Sequence, residues 1–179
     1  RDSLKRVLIE NISFPMLGNH NIENALAAIT VAYNFNIDPE IIKKALESFD
    51  GVKRRLSKIY EKNNIVFYDD YAHHPTEIKE TIKALKSSKG RLISVIQPHR
   101  YSRLRDNYHQ FIKSFSKSDI VLILPVYEAG ERKIENFTSE ILAFDISQQG
   151  PSKATYFKNF SILKSCLLYT SPSPRDSIR

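Results

Sequence analysis

The stretch Tyr68-Asp69-Asp70-Tyr71-Ala72-His73-His74-Pro75-Thr76-Glu77 crowds carboxylates, imidazoles and phenols between a strand signal and a helix signal. Before it, Ile65-Val66-Phe67-Tyr68 is a short β-branched and aromatic run, the pattern of a buried strand. After it, Ile78, Ile82 and Leu85 recur at helical spacing. Pro75 suits a first helical position, where no N–H is needed. The polar cluster therefore belongs on a strand-to-helix turn. In an open α/β sheet such turns lie at the carboxyl edge of the strands, where ligands bind.

Downstream, the same unit repeats. Leu92-Ile93-Ser94-Val95-Ile96 leads into a helix carrying Leu104, Tyr108, Phe111 and Phe115. Ile120-Val121-Leu122-Ile123-Leu124 leads into a weaker helix over 139–146, and Ala154-Thr155-Tyr156-Phe157 reads as one more strand. Strands alternating with helices imply βαβ units and a mostly parallel sheet, so the fold class is α/β.

Upstream, Val7-Leu8-Ile9 predicts a strand, with an extended lead through Phe14-Pro15-Met16-Leu17 into Gly18. Ile22, Leu26, Ile29 and Tyr33 then mark an amphipathic helix. Asp38-Pro39-Glu40 is a cap, a first-turn proline and a first-turn acid, followed by Ile42, Ala45, Leu46 and Phe49 on one face. Gly51 is expected to close that helix as its C′ glycine. Residues 1–50 thus predict a strand and a helix pair, 51–55 a domain boundary, and 51–165 the repeating α/β domain. Residues 166–179 break the pattern, because Thr170-Ser171-Pro172-Ser173-Pro174-Arg175-Asp176-Ser177 has no hydrophobic period. The run from Cys166 also resembles translated read-through of a sequencing adapter, so 166–179 is set aside as a non-native-looking disordered tail.

The totals narrow the class. With 179 residues, 41% hydrophobic and 26% charged, this is ordinary globular composition for one or two domains. No apolar run approaches the roughly 18 residues of a membrane span. No signal-peptide pattern opens the chain, and Arg1 in place of Met predicts a start further upstream. Cys166 is the only cysteine, which excludes an internal disulfide and fits a reducing cytoplasm. A net charge of +7 points to anionic partners such as nucleotides, phosphates or nucleic acid.

Three polar clusters follow three successive predicted strands: 69–77, Gln97-Pro98-His99-Arg100-Tyr101-Ser102-Arg103, and Pro125-Val126-Tyr127-Glu128-Ala129-Gly130-Glu131. In one parallel sheet all three converge on one edge, the geometry of a binding site. Asp70 at a strand end can accept both hydroxyls of a ribose. His73 and His74 can bind substrate or carry protons near neutral pH. Asp69, Asp70, His73 and His74 are also residues of a metal-dependent hydrolase, an alternative that stays open here. Arg100 and Arg103 stand three apart at a helix start, where guanidinium forks and free helix N–H groups favour a carboxylate or phosphate, with His99 orienting the same ligand. Glu128 and Glu131 read as solvated loop residues. Lys53-Arg54-Arg55 can grip polyphosphate. In the first helix Asn21 is the expected N-cap, and His20, Asn21 and Asn24 together offer the donors and acceptors an adenine edge requires. A basic nucleic-acid-binding α/β module is a further alternative, which needs aromatics interleaved with Lys and Arg on the surface.

Gly18-x-His20-Asn21-x-x-Asn24-Ala25-Leu26-Ala27-Ala28, Gly51-Val52-Lys53-Arg54-Arg55 and Asp69-Asp70-Tyr71-Ala72-His73-His74-Pro75-Thr76-Glu77 resemble the motifs of the Mur ligases. These are ATP-dependent enzymes that build the peptide stem of bacterial cell-wall precursors. The segments 97–103 and 126–131 are similar to the branch that joins L-alanine to UDP-N-acetylmuramate, more than to the relative that recycles a tripeptide onto the same nucleotide sugar. The match runs over about residues 1–160. It implies a Rossmann-like carboxyl-terminal domain preceded by a helical remnant of a central ATPase domain. It implies ATP with Mg2+, L-alanine and UDP-N-acetylmuramate as partners, with no nucleic acid and no membrane. It also implies that His20, Asn21 and Asn24 contact adenosine, Asp70 the ribose and Arg55 the phosphates. Tyr71, His73, His99, Arg100 and Arg103 would hold L-alanine, and no residue is implied as a metal ligand or covalent catalyst. The family's Gly-rich loop ending Gly-Lys-Thr/Ser is not found in these residues, nor is its final Gly-Ala-Gly strand. By resemblance the chain is a fragment, inactive by itself.

Overall fold

The computed structural model describes residues 9–86 and 90–170. The chain forms two compact units, Arg1–Ala72 and His73–Arg179.

In the first unit, helices α1 (Asn19–Asn34) and α2 (Pro39–Glu47) are followed by strands β1 (Ser57–Lys62) and β2 (Ile65–Asp69). Asp38 caps α2 as its sequence predicts, its carboxylate accepting from the Glu40 N–H at 2.8 Å. Helix α2 ends at Glu47 with Ser48 as C-cap, so Gly51 does not serve as its C′ glycine. Gly51 has φ +86 instead, and a Cβ there would lie 2.9 Å from Met16 Sδ. The left-handed backbone favours glycine, whereas the flexible Met16 side chain could swing aside from a Cβ. Helix α1 begins after Gly18, at φ 91, with no side-chain cap. Asn21 is therefore not its N-cap. It lies inside the first turn, buried, with Nδ2 donating to Leu17 O at 2.7 Å. The apolar stripe of α1 is uncovered, with Ile22 51% and Leu26 57% exposed. No strand occurs among described residues 9–50, and most of the strand expected over 7–9 lies outside the described residues.

Strand β2 pairs antiparallel with β1, which the sequence reading missed. Asn63 and Asn64 close this hairpin at φ 51 and 61, a two-residue turn with both residues left-handed. The parallel pairing expected for β2 is thus replaced by a separate two-stranded sheet.

The second unit carries the α/β repeat. Its elements are α3 (Pro75–Lys86), β3 (Ile93–Ile96), α4 (Tyr101–Asp106), α5 (Tyr108–Ser114), β4 (Ile120–Ile123), α6 (Ser139–Gln149), β5 (Lys153–Tyr156) and α7 (Phe160–Thr170). Strands β3, β4 and β5 form a parallel sheet in that order, Ile93 opposite Ile120 and Ile120 opposite Lys153. The expected single helix after β3 is two, divided at Asn107 (φ −120, ψ 19). Phe111, Phe115, Val121, Ile123, Leu142 and Leu163 are each 1% exposed or less and form the core. Two buried serines tie elements to it. Ser114 Oγ lies 2.9 Å from Pro75 O, joining α5 to the start of α3, and Ser152 Oγ lies 2.6 Å from Phe115 O. Asn159 accepts from the Ile162 N–H at 3.0 Å and so opens α7, which runs past Cys166 to Thr170. A disordered tail starting at Cys166 is corrected to that extent; residues 171–179 lie outside the described residues. No helix among the described residues is long and apolar enough to cross a membrane.

Candidate functional site

Parallel strands β3 and β4 carry their following loops to one edge, and the two loops are laced together. Arg100 N donates to Tyr127 O and Tyr127 N to Pro98 O, both at 2.8 Å, forming a parallel bridge between His99 and Tyr127. The second and third polar clusters therefore converge, as expected. The first does so only through its last residues, since β2 belongs to another sheet. His73 lies with its ring centroid 6.1 Å from that of His99, which in turn lies 5.2 Å from Tyr127.

Arg103, one turn into α4, points back over this group. Its Nη1 lies 3.3 Å from His99 O and 3.4 Å from His99 Nδ1. Burial, then the charges of Arg103, His73 and Arg100, lower the His99 pKa below its ordinary value. His99 is therefore neutral at pH 7 and can offer a ring nitrogen to the Arg103 guanidinium as an acceptor. Arg100 is half exposed, its backbone at φ 70, ψ 131. That conformation is uncommon for a residue with a Cβ and persists only where neighbours impose it.

Arg100 occupies the N-cap position of α4 without capping it. Glu131 does so from 29 residues away. Its Oε2 accepts from the Ser102 N–H at 2.9 Å and its Oε1 from the Ser102 hydroxyl at 2.6 Å. These bonds, with Arg100 adding a smaller effect, hold the carboxyl below the ordinary glutamate range. The Ser102 N–H, one of the helix N–H groups expected to receive an anionic ligand, is thus already taken, and Glu131 is not a solvated loop residue. Sequence reasoning gave Glu131 no role beyond a solvated loop residue and named Ser102 and Tyr127 only as members of their clusters. Only the presence of Glu131 in the third cluster signalled it, because a cap supplied across 29 residues has no spacing rule.

Around the first cluster, roles divide. Glu77 accepts from the backbone N–H groups of His73 and His74 at 3.1 and 3.2 Å, the reach-back of a capping box at the start of α3. Asp70 Oδ1 accepts from the Ala72 N–H at 2.9 Å. In the same unit as Asp70, the Arg54 guanidinium lies 4.9 Å from the Tyr71 ring centroid and 3.6 Å from Asp69. Arg54 and Leu56 have φ of 60 and 51, another strained stretch. Arg55 is exposed. Of the residues expected at adenosine, Asn24 is exposed, Asn21 is buried against Leu17, and His20 carries a buried Nδ1 with no hydrogen-bond partner. Among the described residues no group of three or more His, Cys, Asp or Glu side chains is arranged to hold a metal ion. Phe111 and Phe115 lie in the core and are not a stacking surface for bases.

Residues 54–168 match the family model described as Mur ligase, glutamate ligase domain. The chain belongs to the Mur ligase family. A UDP-N-acetylmuramate–L-alanine ligase of Methylobacterium nodulans is 43% identical over 150 residues, 83% of this chain and 32% of the relative. Its counterpart from Desulforapulum autotrophicum is 41% identical over 162 residues, 89% of this chain and 35% of the relative. The chain thus spans about a third of the length of these Mur ligases. Among solved structures, the UDP-N-acetylmuramate–alanine ligase of Thermotoga maritima superposes with a TM-score of 0.70 at 26% identity, covering 86% of this chain and 33% of that one.

Proposed function

We propose that this chain is the carboxyl-terminal part of an ATP-dependent ligase that joins L-alanine to the carboxylate of UDP-N-acetylmuramate in cell-wall precursor synthesis. Residues 1–50 close its central ATP-binding domain, and its carboxyl-terminal domain begins at Gly51. The observation that carries the reading is Arg103 held on His99 at the carboxyl edge of β3, with Arg100 next to His99 in the chain. It occurs in a chain 41–46% identical to relatives bearing that ligase's name.

In the proposed reaction ATP phosphorylates the sugar-borne carboxylate, the L-alanine amine attacks that carbon, and phosphate leaves. This chain supplies no covalent catalyst; it positions reactants and balances charge. His20, Asn21 and Asn24 take the adenosine, Asp70 the ribose and Arg55 the phosphates. The unpartnered Nδ1 of His20 and the exposure of Arg55 support those roles. Tyr71, His73, His99, Arg100 and Arg103 hold L-alanine, its carboxylate taking the planar guanidinium forks. The Mg2+ of the family's reaction finds no cluster of ligands among the described residues, and no step is assigned to it here.

Phosphate release by the full-length enzyme tests this. It should require ATP, UDP-N-acetylmuramate and L-alanine together, whereas the 179-residue chain alone, which has no Gly-Lys-Thr/Ser loop, should release none. Release independent of L-alanine, or preference for a tripeptide over L-alanine, overturns the reading.

A further inference from the structure

We propose that Glu131 is the positioning residue of the amino-acid side of the site, orienting the Arg100 guanidinium while leaving its donors open. This rests on the reading above only for the identity of the carboxylate that Arg100 receives.

The geometry separates two effects of one side chain. Glu131 hydrogen-bonds Ser102 through both oxygens, but its Oε1 stands 4.0 Å from Arg100 Nη1. At that distance the charges attract, yet no hydrogen bond forms. Arg100 is therefore drawn toward the α4 terminus without spending the N–H fork that would grip an incoming carboxylate. Because Glu131 already takes the Ser102 N–H and hydroxyl, that carboxylate is directed to the guanidinium and away from that part of the helix end.

Glu131 can do this because its own position is fixed. Its N–H donates to Glu128 O at 3.0 Å, closing a turn with Ala129 at φ 50 and Gly130 at φ 83. The Tyr127 carbonyl at the base of that turn takes the Arg100 N–H at 2.8 Å. Arg100, held at φ 70, is thus fixed on one side through its own amide and on the other through Ser102, two residues on. Remove the carboxylate and the second hold is lost, so the direction in which the Arg100 side chain leaves the backbone is no longer set.

The test uses the full-length ligase carrying this segment, with Glu131→Gln and Ser102→Ala compared to the unsubstituted enzyme. Glu131→Gln should raise KM for L-alanine about ten-fold, the loss of one charge-assisted contact, and leave KM for ATP within about two-fold. Ser102→Ala should shift the same constant in the same direction by less, and it carries the test if Glu131→Gln does not fold. Hydrogen exchange at the peptide containing Ser102 should accelerate in both variants. A fall in kcat with KM unchanged, or equal rises for L-alanine and ATP, would make Glu131 merely structural and overturn the proposal. If the unsubstituted enzyme shows no L-alanine-dependent phosphate release, the ligase reading itself fails. The exchange measurement then decides: unchanged protection at Ser102 sinks the clamp, and accelerated exchange supports it.

Discussion

Arg103 folds back onto His99, its Nη1 within 3.3 Å of the carbonyl oxygen and 3.4 Å of the ring Nδ1. The imidazole is kept neutral partly by the cation it accepts from, so the two residues form one unit. Lysine at 103 would keep the charge and lose the fork. Arg103→Lys in the full-length enzyme should raise KM for L-alanine about ten- to a hundred-fold and spare KM for ATP. Arg103→Ala should instead move the His99 titration upward in an NMR pH series. A rise in KM for ATP alone would assign Arg103 to the nucleotide.

Stability should fall on acidification, for two reasons of the same sign. His99 has a lowered pKa in the fold, so the unfolded chain binds the proton first. Its contribution is complete above the ordinary histidine value near 6.5 and is lost as pH falls below it. Glu131 is also lowered; its contribution is present above the ordinary glutamate value and disappears as pH falls through its folded one. Thermal midpoints measured from pH 8 to 2 should decline in both windows. His99→Gln should flatten the upper window and Glu131→Gln the lower. A midpoint that climbs between pH 7.5 and 6 in the unsubstituted protein would contradict this account.

The adjacent arginines 54 and 55 should behave differently. Both are exposed, but the Arg54 guanidinium lies 4.9 Å from the Tyr71 ring centroid. Arg55→Ala should raise KM for ATP about ten-fold, as loss of one phosphate contact would. Arg54→Ala should act mainly through Tyr71, on L-alanine. Steady-state kinetics on the two single variants separates them, and identical profiles would refute the division.

Helix α7 should matter to the core. Leu163 is fully buried, so Leu163→Ala should cost about 2–5 kcal/mol in urea unfolding. A loss under about 1 kcal/mol would show that α7 is not docked.

Much of the second unit was legible because its signals are local. Apolar runs at 93–96 and 120–123 and the first-turn Pro75 specify strands and a helix start without outside help. Strand β1 was missed because Ser57-Lys58-Ile59-Tyr60-Glu61-Lys62 is mostly exposed and polar. Its signal was the Asn63-Asn64 pair, a turn dipeptide suited to left-handed backbone. Helix α7 was not read at all: the tail's composition outweighed Asn159 as a cap and the spacing of Phe160, Leu163 and Leu167.

At the site, spacing brought His99, Arg100 and Arg103 to one helix start, but it could not say what else was there. Of the free helix N–H groups inferred from sequence, that of Ser102 is taken by Glu131, a residue of another loop. Tertiary capping of this kind is written in no window of the chain.

The break at Asn107 sets the arginines apart from the interior. Helix α5 is anchored by Phe111 and, just beyond its end, Phe115, while α4 is a six-residue piece joined to it by the Asn107 side chain, which donates to Arg103 O at 3.0 Å. Within α4 only Tyr101 and Leu104 are buried. For anyone retargeting such a ligase to another amino acid, α4 with Arg100 before it is a natural cassette. Arg105 can be varied there, with Arg100, Ser102 and Arg103 kept for the carboxylate that every amino acid carries, Tyr101 and Leu104 kept as fixed pins, and the interior left untouched.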